Sequence, residues 1–210
     1  MKQQLKTSKT ARYFTHGNPN KAENIWIVLH GYNQLAPFFI RKFQHLDPDK
    51  HFVVAPEGLH RFYRKGTSGR VGASWMTKED RESDINDNAN FLNNLSDTLL
   101  AKYTFQKRIL LGFSQGGATA TRWNFSGKFN ANHLILWACV FPPDLEKDKE
   151  EKDRKEKTNY FVLGKNDQFF EAHYQEIIEQ YAEKGLLIKE FDGFHDIERE
   201  MLTEIAIEIE

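Results

Sequence analysis

Only one cysteine, Cys139, stands among the 210 residues. No internal disulfide can form, so the fold rests on its own core, and a reducing compartment suits it. An excess of charge of either sign is also missing: 29 lysines and arginines meet 30 aspartates and glutamates, for a formal net charge of −1. Nucleic-acid binders carry a clear basic excess, so no nucleic-acid partner is expected. No apolar run approaches the ~20 residues of a membrane span. The opening M-K-Q-Q-L-K-T-S-K-T holds no apolar stretch of the secretory type, and a cytoplasmic protein is the expectation. Pro-rich linkers and internal repeats are absent as well. Residues 1–210 are therefore expected to form one domain around a single substantial core.

What the chain does have is a rhythm of short apolar runs. I-W-I-V-L (25–29), H-F-V-V-A (51–55), R-I-L-L-G-F (108–113), H-L-I-L-W-A (133–138), N-Y-F-V-L-G (159–164) and L-L-I-K-E-F (186–191) have the length and β-branched or aromatic content of buried strands. Residues 3–14 offer one or two edge strands. Between the runs, 83–103 places Ile85, Ala89, Leu92, Leu95, Leu99 and Tyr103 on one helical face. Its asparagines are weak helix formers, so packing must hold it. Residues 170–184 and 196–207 read as further amphipathic helices. Strands alternating with helices define an α/β fold, a mostly parallel central sheet with helices on both faces. Two segments carry no chemistry on this reading. The run L-I-L-W-A-C-V-F (134–141) buries Cys139 as an inert thiol. The alternating charges of 144–157 suit a solvated loop or surface helix rather than the alternative of a partner-binding arm, and the segment is too short and polar for a large lid.

The chemistry concentrates at I-L-L-G-F-S-Q-G-G (109–117). Gly-x-Ser-x-Gly arises by chance in roughly one chain of this length in fifteen, taking glycine near 7%. Context separates the two cases. A nucleophile elbow needs a strand before the serine, a sharp turn at it and a helix after it. I-L-L-G-F supplies the strand, and Q-G-G-A-T-A-T-R-W opens a helix. Glycines at 112 and 116 admit the close approach of strand and helix, while Ser114 takes strained backbone angles.

A serine hydroxyl needs a base, and the base an orienting acid. In hydrolases built on such an elbow these follow in the order serine, acid, histidine. Beyond Ser114 lie His133, His173 and His195. His133 begins a strand, at the wrong edge of the sheet, and His173 falls in a helix. His195, in D-G-F-H-D-I between the last strand and the last helix, can reach back over the C-terminal edge. Asp167, in G-K-N-D-Q directly after a strand, is the favoured acid; Asp192 is the reserve. Asp196 suits a cap on the last helix. For the oxyanion, one backbone donor is the residue after the nucleophile, Gln115. V-L-H-G-Y-N (28–33) follows an early strand and nominates the Tyr32 N–H as the second. His30, ahead of the nucleophile and beside Gly31, suits shaping of that loop better than acting as base.

With L-H-G-Y, G-F-S-Q-G-G, G-K-N-D and G-F-H-D-I in hand, the chain resembles the carboxylesterase, phospholipase and acyl-protein thioesterase family of α/β-hydrolases over about residues 24–205. A-P-E-G (55–58) and S-W (74–75) add to the likeness. The resemblance implies Ser114, Asp167 and His195 as catalytic triad, with Tyr32 and Gln115 as oxyanion donors. Three places depart from the family's habit: N-Q where Gly-Asp is common after His-Gly, D-Q-F-F in place of a Val-Pro continuation, and Phe194 between Gly193 and His195.

The expected activity is therefore that of a serine carboxylesterase, with no cofactor and no metal, acting on small to medium acyl esters in an open site. Trp75, Phe141 and Phe169 are the candidate substrate-binding aromatics, with Phe38, Phe39, Phe170 and Phe194 as further wall residues. Two rival readings stand beside it. One is deacylation of a lipidated protein or a lysolipid, and the other a hydrolase fold kept as a ligand-binding module.

Overall fold

All six apolar runs become the parallel part of one twisted sheet. The computed structural model describes residues 1–126, 129–145 and 158–210. Its strands are β1 (Tyr13–His16), β2 (Asn24–Leu29), β3 (His51–Pro56), β4 (His60–Tyr63), β5 (Val71–Ser74), β6 (Lys107–Phe113), β7 (His133–Trp137), β8 (Tyr160–Gly164) and β9 (Leu187–Phe191). Seven of them form the main sheet in the order β1-β3-β2-β6-β7-β8-β9. β1 is an antiparallel edge on β3 that overlaps the expected 3–14 only at Tyr13 and Phe14, residues 3–12 forming no strand, and the remaining neighbours are parallel.

Every residue of β2 and β3 is buried, which requires cover on both faces of the sheet. That cover comes from α1 (Ala36–Phe39), α2 (Arg81–Leu100), α3 (Gln115–Ser126), α4 (Tyr174–Glu183) and α5 (Arg199–Ile209). The core takes in Trp26, Trp75, Trp123 and Trp137, each 1% exposed or less. Burying one such indole is worth roughly 4–6 kcal/mol before entropy, at ~25 cal/mol per Å² over 150–250 Å². Cys139 lies in this core, where burial pushes its thiol up to about 12 and keeps it protonated at neutral pH.

The last two helices start later than periodicity alone suggests, for local reasons, while α2 starts at Arg81, two residues early. Residues 167–173 are taken up by turns, with Phe170 N–H donating to Asp167 O, so α4 begins at Tyr174. α5 is capped by Glu198, whose carboxylate accepts from Glu200 N and Met201 N. The expectation that Asp196 caps this helix is corrected. Asp196 instead holds Lys42 at 2.6 Å, and its Oδ1 accepts from Ile197 N. The β4–β5 hairpin, antiparallel and outside the main sheet, was not foreseen, because its four-residue strands are mostly exposed on β4 and carry no periodic signal.

Of the charged run 144–157, all but Asp144 and Leu145 fall outside the described residues. Asp144 is gripped by the Arg122 guanidinium on α3, which holds its carboxyl down to about 2.

Chain order places the site. From β2 the chain moves outward to β3, then returns to the other side of β2 to form β6. The loops leaving β2 and β6 therefore part in opposite directions, which opens a crevice at the C-terminal edge of the sheet.

Candidate active site

Ser114 sits between β6 and α3 at φ +52°, in the left-handed region. A serine held there costs on the order of 1–3 kcal/mol and persists only where its surroundings fix it. The fixing contacts are visible. Ser114 N–H donates to Trp137 O at 2.9 Å, and its carbonyl accepts from Gly117 N at 2.9 Å. Strand and helix come so close that a Cβ on Gly112 would lie 2.5 Å from Gly117 Cα, and one on Gly116 would lie 2.3 Å from Leu29 O. Both positions exclude any larger residue, and the turn has the geometry of an elbow.

Asp167 and His195 meet at the same edge. Asp167, 1% exposed, accepts the His195 Nδ1–H at Oδ2 over 2.6 Å. Its other oxygen, Oδ1, accepts from Phe169 N at 3.0 Å, which fixes the carboxylate in its loop. The proton on Nδ1 leaves Nε2 as the ring's acceptor. Asp192 is exposed and paired with Asn166 Nδ2, so it does not serve the histidine. The imidazole packs between Phe113 and Phe169, with ring centroids 4.9 and 4.6 Å away. Among the described residues Ser114 Oγ makes no hydrogen bond; catalytic contacts of this kind often close only around substrate.

The two nominated backbone donors flank the serine. Gln115 opens α3, so its N–H has no acceptor within the helix. Tyr32 follows Gly31, whose Cβ, if present, would lie 3.2 Å from Ser114 Cβ. A buried polar web braces this side. Fully buried His30 accepts from Gly58 N at Nε2 and, with Nδ1 protonated, donates to Gly31 O at 2.7 Å. It is thus a neutral strut of the loop, and burial lowers its pKa. Trp75 Nε1 donates to His30 O at 2.8 Å, and the Gln115 side chain accepts from Trp75 N and donates to Met76 O.

Four members of the web escaped sequence reasoning: Gln34, Glu57, Asn88 and the Gln115 side chain. Gln34 Oε1 accepts from Gly31 N, and Glu57 Oε2 from Ala36 N. Asn88, buried on α2, donates to the Trp75 and Asp84 carbonyls. The N-Q departure after His-Gly was the available signal: Asn33 adopts φ +67° and Gln34 ties back the loop.

The three aromatic residues expected to touch substrate separate. Phe169, 69% exposed, packs edge-on to His195. Trp75 is fully buried and supports the His30 loop. Phe141 is buried against Tyr181 and Phe125, with the Lys184 ammonium 4.4 Å over its ring, in contacts that include none of Ser114, Asp167 and His195. Phe194 joins Phe169 at the surface, 71% exposed.

The sheet, the elbow and the loops at its edge define an α/β-hydrolase. The family model for phospholipase/carboxylesterase matches residues 16–209, and the chain belongs to that family. Among solved structures, acyl-protein thioesterase 2 of Zea mays superposes with a TM-score of 0.70 at 17% identity, over 95% of this chain and 98% of that one. A carboxylesterase from Mesorhizobium loti gives 0.71 at 14% identity, over 95% and 94%. The Bacillus cereus carboxylesterase gives 0.68 at 14%, over 94% and 92%. These likenesses concern the fold. No curated protein sequence matches the chain.

Proposed function

We propose that the chain is a cytoplasmic serine carboxylesterase, a single α/β-hydrolase domain that cleaves small to medium acyl esters without metal or cofactor. His195 Nε2 takes the proton of Ser114 Oγ as that oxygen attacks the ester carbonyl. The tetrahedral oxyanion is held by the Tyr32 and Gln115 N–H groups; a single such donor is worth roughly 2.7–4 kcal/mol. The imidazolium, steadied by Asp167, then protonates the leaving alcohol as the C–O bond breaks. Water enters, gives its proton to His195 and hydrolyses the acyl-enzyme, which restores Ser114. Phe169 offers an apolar face beside the base for the substrate.

One observation carries this reading: a buried carboxylate orients a histidine at 2.6 Å on the same sheet edge as a serine held at positive φ. A ligand-binding module has no use for that combination. Thioester or lysolipid cleavage would use the same residues, and chain-length preference from acetyl to palmitoyl nitrophenyl esters separates those substrates from short esters. The decisive test is a fluorophosphonate probe. Labelling of the folded chain that vanishes in Ser114→Ala supports the enzyme. A folded wild-type chain that never labels refutes it.

A further inference from the structure

The β4–β5 hairpin carries a charge pattern unlike the rest of this near-neutral chain. Between Glu57 and Glu79 there is no acidic residue, while Arg61, Arg64, Lys65, Arg70 and Lys78 are all cationic. Arg61 reaches the buried Glu57. Arg64, Lys65 and Arg70 have no acidic partner within 4.0 Å among the described residues, and all three are exposed. Their charges are therefore free to meet a ligand.

They also line space. A cavity of about 600 Å³ lies between the hairpin and α1, walled by Asn33, Leu35, Phe38, Phe39, Arg64 and Arg70 among others. A second, of about 670 Å³, shares Asn33, Arg64 and Arg70 and continues toward Lys65. Neither includes Ser114 or His195 in its wall, yet both border the site. Asn33 stands next to Tyr32, the nominated oxyanion donor. Phe39 stacks on Phe113, whose ring touches His195. Lys42, on the rim of the first cavity, bonds to Asp196 beside His195. The cleft is thus apolar on its α1 side and cationic on its hairpin side, and Lys42 has already spent its charge.

We propose that this cleft selects esters carrying an oxyanion group, a carboxylate or a phosphate, set off from the reacting carbonyl by an apolar spacer, with Arg64 and Arg70 as the specificity residues. The spacer lies along Leu35, Phe38 and Phe39, and the anion meets the two guanidinium groups, whose planar donor forks suit either oxyanion. The proposal rests on the ester-hydrolase reading of Ser114.

The test compares kcat/KM for nitrophenyl hexanoate with its carboxylate-terminated counterpart, nitrophenyl hydrogen adipate, and with the 6-phosphooxyhexanoate ester. The anionic esters are expected to be preferred over the neutral one, and whichever anion gains more identifies the group. In Arg64→Gln/Arg70→Gln the anionic-to-neutral ratio falls about tenfold or more, the loss expected for one charge-assisted hydrogen bond, chiefly through KM. Lys102→Gln, an exposed cation after α2, leaves the ratio as it was. Added salt narrows the preference. An equal rate for anionic and neutral esters, or a ratio indifferent to the two arginines, overturns the cleft and leaves the esterase standing. Calorimetric binding of hydrogen adipate and hexanoate esters to Ser114→Ala reads the cleft even without turnover: tighter binding of the anion, lost with the arginines, supports it, and equal binding refutes it.

Discussion

On either side of Ser114 the sheet edge is built in opposite ways. Toward β2, the loop proposed to hold the oxyanion is locked by buried polar contacts: His30 to Gly58 and Gly31, Trp75 to His30, Gln115 and Asn88 to the Trp75 segment, and Gln34 to Gly31. Toward β9, His195 rests on one strong bond to Asp167 and on aromatic rings, of which Phe113 is buried and Phe169 lies at the surface. The difference fits what each side would supply in the proposed reaction. Backbone donors stabilise developing charge only if they are already aimed at it, so that side is rigid. A base, as proposed for His195, must take a proton and give it back, and a ring held by a single hydrogen bond beside the exposed Phe169 suits that task.

The largest expected effect falls on the loosely held side. Asp167→Asn keeps the size of the acid but removes its charge, so the Nδ1 tautomer is no longer enforced. A drop in kcat of about 10⁴-fold is expected, on the order seen when a triad acid is neutralised elsewhere. Asp192→Asn leaves activity near that of the parent chain. Steady-state kinetics on a short nitrophenyl ester reads both. Equal losses in the two variants would show that the acid has been assigned to the wrong carboxylate.

On the rigid side the effect is one of stability as much as of rate. Gly116→Ala would push a methyl group against the Leu29 and His30 carbonyls, whose oxygens lie 2.3 and 2.6 Å from the added Cβ. Both partners are backbone, so neither can swing away. A loss of about 1–3 kcal/mol is expected from overpacking, read as a lower midpoint in urea unfolding. Gly66→Ala, at a hairpin turn with open space around it but a positive φ, tests strain without collision. A Gly116→Ala chain no less stable than Gly66→Ala would mean that strand and helix can part at the elbow.

The comparison also explains what could be read from residues in order. The parallel strands, the elbow, Asp167 and His195 are legible because each is signalled locally: a β-branched run, two glycines around a serine, a polar residue at a strand end. The buried web was not legible. Asn88 looks like one more weak helix former in S-D-I-N-D-N-A-N, and nothing short of the fold shows that it alone faces the Trp75 carbonyl. Phe141 and Trp75 look like pocket residues because aromatic character does not reveal which side of a loop is wet. The hairpin was missed for the same reason. Its strands are short and its β4 side chains lie on the surface, so hydrophobic periodicity is silent there. The uneven charge of that stretch becomes informative only once the hairpin faces a cavity.

The smallest effect sharpens the contrast by titration. His30 is fully buried, and desolvation lowers its pKa, against the opposing pull of the Gly31 carbonyl and of Glu57. His45, His51 and His133 are shifted the same way, each chiefly by burial. In the unfolded chain such groups take up protons below about pH 6.5, whereas in the fold they resist. The unfolded state then binds more protons, so the stability these groups contribute is present above that value and is lost as pH falls below it. Urea midpoints taken from pH 8 down to pH 5 should therefore decline. Glutamine can accept from Gly58 N and donate to Gly31 O as His30 does, yet it does not titrate. His30→Gln should accordingly start lower, because its fit is imperfect, and descend less steeply. Parallel descents in the two chains would mean that the oxyanion loop opens to water before the rest of the fold, and that the side of Ser114 taken as rigid is not.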